Sequence, residues 1–373
     1  MIKVLHTGDI HLDSSFSSLE PRHAEVRRNE LRAAFTSMMT YARMNSADMI
    51  LIAGDMFDGA YVTRETVAMI RREFELFGKP VFIAPGNHDP ASPKSIWMKK
   101  IFPDNVHVFT SDTVSAYQSD TLPVTVWGYA FTSSDMTENP LVSAPDRPSD
   151  DGRIHILLAH GDITGHDPTN CPLSEESILS FGADYTALGH IHNPPIPGEH
   201  GKWCYPGCLE PRGFDEIGPK GACMVEIEKK NGTADIAVKR VRFSKRHYEK
   251  AELRLEGCET MSDIRSAISS FITAEKYGED TCLSLRLTGY IPQSLVIDKD
   301  TLENEVPGLF LLRITDATSP DVNFAALEND MTIRGALYRQ LRPSLESDDS
   351  REREVGMRAF RYALSALSGE NIV

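Results

Sequence analysis

A chain of 373 residues, 41% hydrophobic and 25% charged, has room for a sizeable core and for two domains plus an appendage. Its 39 Lys+Arg against 54 Asp+Glu leave a net charge of −15, which disfavours indiscriminate binding to a polyanion such as nucleic acid. No apolar run approaches a membrane span and no signal-peptide core precedes the first strand, so the expected compartment is the cytoplasm, without membrane association.

The first predicted strand starts at Met1-Ile2-Lys3-Val4-Leu5 and leads into Gly8-Asp9-Ile10-His11. Residues 21–45 have helical composition, with Leu31, Phe35, Met38 and Met39 near helical spacing. The apolar run 49–53 then reads as a second strand and stops at Gly54-Asp55-Met56-Phe57-Asp58. A helix over 62–77, ended by Gly78, and a strand over 80–84 leading to Gly86-Asn87-His88-Asp89 continue a β-α alternation that implies a parallel sheet. From about 106 to 130 the pattern changes to short strands, where a second sheet is expected, followed by a polar, proline-bearing loop over 132–152. Strands over 154–159 and 184–188, separated by a helix over 174–181, lead to His160-Gly161-Asp162 and Gly189-His190-Ile191-His192. Asn231-Gly232, between apolar runs at 222–228 and 233–241, marks a hairpin.

Domain boundaries are expected to give 1–246, 247–318 and 319–373. The middle segment reads as strand, helix (261–275), strand (282–290), short helix (299–306) and strand (309–314), a small α/β domain. The last segment reads as a helix over 327–342 stopped by Pro343, an acidic linker through Asp349 and a helix over 351–368 before Gly369. Met357, Phe360, Leu364 and Leu367 form an apolar stripe on that helix, which must pack on its own domain or on a partner. Lys239, Arg240, Arg242, Lys245, Arg246 and Lys250 form a basic strip, either a solvated strand or a grip on a phosphate backbone. Among the six cysteines only Cys204 and Cys208 are close in sequence, without the further ligands a zinc site needs.

Five apolar strands therefore end in Gly, Asp, Asn or His. Open α/β sheets bind ligands at the carboxyl ends of their strands, and a half-buried carboxylate is costly unless a cation or hydrogen-bond donors compensate it. Hydrolysis of a phosphate ester needs a nucleophile and positive charge, and two metal ions about 3.5–4 Å apart with a bridging carboxylate supply both. Asp55 is the expected bridge. Asp9, His11 and His192 complete one site, and Asn87, His160 and His190 the other. Carboxylate, amide and imidazole ligands without thiolate suit manganese, iron or zinc. His88 is expected to protonate the leaving oxygen or stabilise developing charge, and Asp58 to orient His88. His6, His23, His107, His155, His166, His200 and His247 read as structural, and Asp13, Asp89 and Asp162 as partners of the imidazoles or as loop residues.

Asp9-x-His11, Gly54-Asp55-x-x-Asp58, Gly86-Asn87-His88-Asp89, His160 and Gly189-His190-x-His192 together resemble the motif series of the calcineurin-like metallophosphoesterases. The resemblance spans roughly the first 245 residues. It implies an α/β fold, a two-sheet sandwich flanked by helices, with a small α/β capping domain and a helical C-terminal tail. His6-Thr7-Gly8-Asp9-Ile10-His11-Leu12-Asp13, Gly54 to Asp58, Tyr205-Pro206-Gly207, Phe214-Asp215-Glu216 and Pro219-Lys220-Gly221 look most like DNA repair exonucleases of the SbcD and YhaO type, although Cys208 stands where SbcD-like members tend to have serine. This implies a metal-dependent DNA exonuclease or endonuclease using a two-metal-activated hydroxide, manganese as the activating ion, an SbcC-like coiled-coil ATPase as partner, and a homodimer. The alternatives are a phosphatase or small-nucleotide phosphodiesterase of the same superfamily and a non-catalytic scaffold. Phosphoprotein phosphatases of the superfamily usually carry arginine directly after the second carboxylate, where this chain has Gly59.

Overall fold

The computed structural model describes all residues except 147–150, 195–201, 294, 323 and 368–373, so His200, Gly369 and parts of the 132–152 loop and the last predicted helix lie outside the described residues. The chain divides into two compact units, Met1–Lys245 and Arg246–Val373.

The first unit runs β1 (Ile2–Thr7), α1 (Pro21–Met44), β2 (Met49–Ile52), α2 (Arg64–Phe77), β3 (Val81–Ile83), β4 (Val106–Val108), β5 (Ser115–Gln118), β6 (Val124–Gly128), β7 (Ile154–His160), α3 (Glu175–Phe181), β8 (Tyr185–Gly189), β9 (Trp203–Cys204), β10 (Gly221–Lys230) and β11 (Thr233–Arg242). Two sheets result, in the orders β11-β10-β1-β2-β3-β4 and β5-β6-β7-β8-β9. The strands β1 to β4 are parallel, as are β6 to β9, while β10 and β11 add an antiparallel hairpin whose two-residue turn sets Asn231 and Gly232 at φ 50° and 79°. The expectation that the short strands from 106 onward begin the second sheet is corrected for β4, which pairs with β3.

Alternate residues of the second sheet face two cores. Ile154, Ile156 and Leu158 of β7 join the cluster shared with the first sheet and α1, whereas Leu157 and Ala159 pack outward with Trp127 and Leu188. Helix α1 opens on Pro21, whose missing N–H costs nothing at the first position, and buries Leu31, Phe35, Met38 and Met39. The hydroxyl of Thr63 accepts the Thr66 N–H, which starts α2 at Arg64 rather than at residue 62, and Gly78 ends it in the left-handed region.

His6 lies wholly inside this unit, bonded through Nδ1 to the Tyr185 hydroxyl (2.8 Å) and through Nε2 to the Leu188 carbonyl (3.1 Å). Burial pulls its pKa from 6.5 down to about 3, against the opposing bond to Leu188. The unfolded chain takes up this proton below 6.5 and the folded one does not, so the contribution to stability is whole above that pH and shrinks with acid by up to about 1.4 kcal/mol per pH unit. Urea unfolding between pH 6.5 and 5 is expected to weaken less steeply for His6→Gln than for the unsubstituted chain; equal slopes would contradict this assignment.

The second unit runs β12 (His247–Leu255), α4 (Met261–Ala274), β13 (Thr281–Ile291), α5 (Lys299–Glu305), β14 (Leu311–Asp316), β15 (Ser319–Pro320), α6 (Phe324–Glu328), α7 (Ile333–Leu345) and α8 (Ser350–Leu367). A parallel sheet β12-β13-β14, with β15 also on β13, packs α4 and α5 around Ile264, Ile268, Leu285 and Leu302. The helix expected over 327–342 is two helices. Asp330 accepts the Thr332 N–H (2.7 Å), and Thr332 then caps α7 by accepting from Arg334 N–H (3.3 Å). Pro343 does not stop α7, because it sits in the last turn, where only one bond is lost before the end at Leu345. Phe360 and Leu364 of the apolar stripe are buried against Leu327 and Tyr338 of the same unit, whereas Leu367 is exposed.

Candidate metal centre

Register levels the strand ends. Thr7 lies opposite Ile52 and Ile52 opposite Ile83, so the three chains leave the first sheet side by side; His160 lies opposite Gly189 in the second. The departing backbones are tied together, Asp9 N–H donating to Gly54 O (3.1 Å) and His11 N–H to Asp55 O (2.9 Å). Across the sandwich, the His190 N–H donates to both oxygens of Asp9 (3.0 Å each). Asp9, His11, Asp55 and His190 all have positive φ (48°, 51°, 48° and 113°), conformations that persist only where the surroundings enforce them. Close approach also explains two glycines: a Cβ on Gly189 would stand 1.6 Å from the Ala53 carbonyl oxygen, and one on Gly86 2.2 Å from Asp55 Oδ1.

Asp9, His11, Asp55 and His192 each offer a ligand atom within 4.8 Å of all the others. His11 Nε2 is 3.1 Å from His192 Nε2 and 3.7 Å from Asp55 Oδ2. On the other side of the same carboxylate, His160 Nε2 is 3.0 Å from Asn87 Oδ1 and 3.5 Å from Asp55 Oδ2. The His190 ring stands edge-on to that of His160, centroids 5.2 Å apart. All seven expected ligands thus gather at one edge, with Asp55 Oδ2 common to both groups.

The chemistry of these donors fits cations. His160 Nδ1 faces the Ala53 carbonyl (2.9 Å) and His192 Nδ1 faces Glu216 Oε1 (2.7 Å); both partners accept, so each Nδ1 carries a proton and Nε2 is the ring atom turned toward the carboxylates, with burial of His192 outweighed by Glu216 and Asp9, which raise its pKa. Burial holds the His11 imidazole well below its ordinary pKa and, with His160 beside it, brings His190 to about 4, so both are neutral near pH 7. His11 Nε2 and His192 Nε2 stand 3.1 Å apart and His160 Nε2 stands 3.0 Å from Asn87 Oδ1, beside two buried carboxylates. Burial raises the pKa of Asp9; for Asp55 burial is outweighed by His160, His11 and His88, which hold it below the ordinary value. A cation on each side of Asp55 would be met by imidazole nitrogens, an amide oxygen and buried carboxylates gathered at this edge.

The family model for calcineurin-like phosphoesterase matches residues 2–194, which contain all five motifs. The chain belongs to the calcineurin-like phosphoesterases. It is 29% identical over 371 residues to the uncharacterized metallophosphoesterase YhaO of Bacillus subtilis, covering 92% of this chain and 88% of that one. It is also 27% identical over 248 residues to the DNA double-strand break repair protein Mre11 of Aeropyrum pernix, and 23% identical over 256 residues to a subunit of the SbcCD nuclease of Staphylococcus epidermidis. Those matches cover 60% and 61% of this chain, and the chain spans 57% and 66% of the two relatives.

Around this phosphoesterase centre several finer expectations change. His88 Nδ1 is 3.6 Å from Asp58 Oδ1, beyond a hydrogen bond, and that oxygen instead receives Arg212 at 2.6 Å. Asp58 therefore anchors Arg212 more firmly than it orients His88. The chain lacks an arginine after Asp58, yet Arg212 brings a guanidinium to the site from a distant loop. His88 is 42% exposed, and its own N–H donates to Asp55 Oδ1 (3.0 Å). Among the described residues none of the three loop aspartates holds an imidazole. Asp13 binds Arg32, Thr63 and Thr66, Asp89 binds the N–H groups of Gly86 and Phe57, and Asp162 organises Thr164, His166 and Asp167.

Glu216 is the carboxylate that holds the His192 ring, and Asp58 Oδ1 also lies 3.1 Å from His11 Nδ1; the sequence marks Glu216 only through the likeness of its loop to the end of a nuclease domain. Burial would raise its pKa, but the bond to His192 and the Arg212 charge bring it down to about 2, so it stays ionised. Its other oxygen accepts the Arg212 N–H (2.6 Å) and lies 3.4 Å from Cys208 Sγ. Cys204 faces Cys223 (3.7 Å) rather than Cys208. Glu216→Gln is expected to weaken manganese binding about 10–100-fold, as loss of a histidine's outer partner generally does; a calorimetric titration showing unchanged affinity would contradict this role.

Part of the basic strip is committed to structure. Arg240 donates to the carbonyls of Tyr205 and Pro206, Lys245 pairs with Glu30 (3.2 Å), and Arg246 is buried over the Phe310 ring with its guanidinium on the Glu279 carbonyl. Arg246 interrupts the strip, while Lys239, Arg240, Arg242, Lys245 and Lys250 stay exposed. No helix among the described residues is long and apolar enough to cross a membrane.

Proposed function

We propose that the chain is a metal-dependent DNA nuclease that hydrolyses phosphodiester bonds. The carrying observation is the convergence of two sets of imidazole, amide and carboxylate groups on Asp55 Oδ2. Asp9, His11 and His192 would hold one divalent ion, Asn87, His160 and His190 the other, and Asp55 both, manganese being the expected metal. When bound, the pair supplies Lewis acidity and water activated at neutral pH.

The chain's own residues supply the rest. His88, close to the His11 ring (centroids 4.8 Å) but exposed, is placed to give a proton to the leaving oxygen. Arg212, fixed by Asp58 and Glu216, contributes positive charge where a phosphate oxygen develops negative charge. DNA as substrate is supported by the likeness to a double-strand break repair protein and to part of a nuclease. The likeness to one subunit of the SbcCD nuclease supports a partner subunit; by the resemblance of the motifs that partner would be an SbcC-like coiled-coil ATPase and the chain a homodimer in the cytoplasm, with residues 247–318 as a capping domain and 319–373 as a helical segment beyond it.

The test is a substrate panel. Purified protein with manganese is expected to shorten single-stranded DNA or blunt duplex, and a chelator to abolish the reaction. Turnover confined to a phosphopeptide or a cyclic dinucleotide would replace the nuclease reading with a phosphatase or small-nucleotide phosphodiesterase.

A further inference from the structure

We infer that the unit Arg246–Val373 carries a binding site for a phosphate group, in a cavity of about 410 Å³ lined by α8 and by the ends of β14 and β15. The inference does not depend on what the metal centre cleaves, since it uses none of the same residues.

Charge makes the first argument. Six cationic side chains and two acidic ones line the cavity, in a chain whose overall balance is −15. Both acids are already answered: Asp316 binds Arg361 (2.9 Å) and Glu354 binds Lys299 (3.2 Å). Four arginines remain. Arg286 has its nearest carboxylate, Glu252, only at 3.9 Å, and Arg353 donates to the Ser347 carbonyl. Arg351 and Arg358 find no carboxylate partner among the described residues. Like charges gathered around one cavity repel unless an anion sits among them.

Burial makes the second. Arg361 is 4% exposed and spends its terminal nitrogens on Asp316 and Thr318, while its buried Nε–H has no hydrogen-bond partner among the described residues. A guanidinium desolvated to that degree with a donor unused calls for a further acceptor. The helix end does not supply the attraction, because Asp349 accepts the Arg351 and Glu352 N–H groups of the first turn. The guanidinium groups themselves do.

Several arginine forks around one space match the oxygens of a phosphate, to which each fork can donate twice. The volume exceeds that of a lone phosphate ion and falls within the about 300–1,000 Å³ typical of small-molecule sites. The phosphate can be borne by a free nucleotide or by a nucleic-acid strand.

Calorimetry on the full chain with inorganic phosphate, adenosine monophosphate and a short single-stranded oligonucleotide separates these sources. The double substitution Arg351→Gln, Arg358→Gln, both at exposed positions, is expected to weaken binding about tenfold or more. Weakening for phosphate and the nucleotide assigns a free ligand, and weakening for the oligonucleotide alone assigns a strand. Unchanged affinity for all three would overturn the site. So would equal weakening by Arg71→Gln, Arg72→Gln, which removes the same charge from α2 in the other unit.

Discussion

Replacing His88 by asparagine is expected to lower phosphodiester turnover about 10²- to 10⁴-fold while both metals and most DNA affinity remain, the loss typical of a deleted general acid. The geometry separates His88 from the donor groups: its side chain is 42% exposed, whereas those of His11 and His160 are fully buried and aim Nε2 at Asp55. What His88 gives the centre structurally is its backbone N–H, donated to Asp55 Oδ1, and a side-chain substitution leaves that bond in place. Asp58→Asn should show a milder defect, for a reason the structure revises. The ion pair with Arg212 weakens, so the guanidinium loses its anchor while His88, 3.6 Å away, keeps its position. Single-turnover kinetics beside metal analysis provide the check. Loss of metal from the His88 variant would make His88 a ligand, and near-normal cleavage with both metals bound would leave it without a catalytic role.

Asp55→Asn is expected to reduce metal occupancy at both sites and to cost more activity than the about 10–100-fold that follows loss of an outer partner. The substitution keeps the shape of a side chain 1% exposed, so the fold has little cause to move. It removes the negative charge that faces both His11 Nε2 (3.7 Å) and His160 Nε2 (3.5 Å). Asp9→Asn should act mainly on the site it shares with His11 and His192. Elemental analysis showing two full equivalents of metal on the Asp55 variant would remove the bridging assignment.

Much of this centre is legible in the sequence, because each half depends on an apolar run halted by glycine and a polar side chain. Such runs declare a buried strand and its end without tertiary information, and parallel pairing then brings the ends to one edge. What stayed hidden depends on tertiary partners. Arg212 and Glu216 lie in a loop without periodicity, and their roles appear only once the loop reaches His192 and Asp58. The positive charge of Arg240 and Arg246 was readable; the backbone carbonyls that consume it were not. Strand β4 has three residues, too few for a pattern to choose between sheets. The break between α6 and α7 rests on side chain-to-backbone bonds at Asp330 and Thr332 that compete with the helix locally.

Anomalous diffraction from crystals grown with manganese tests the central claim most directly. Two peaks are expected, one among Asp9, His11, Asp55 and His192, the other among Asp55, Asn87, His160 and His190, with Asp55 touching both. The rival cluster in the same edge is His11, Asp58 and His88. A single peak there, with nothing bound at Asp55, would contradict the account.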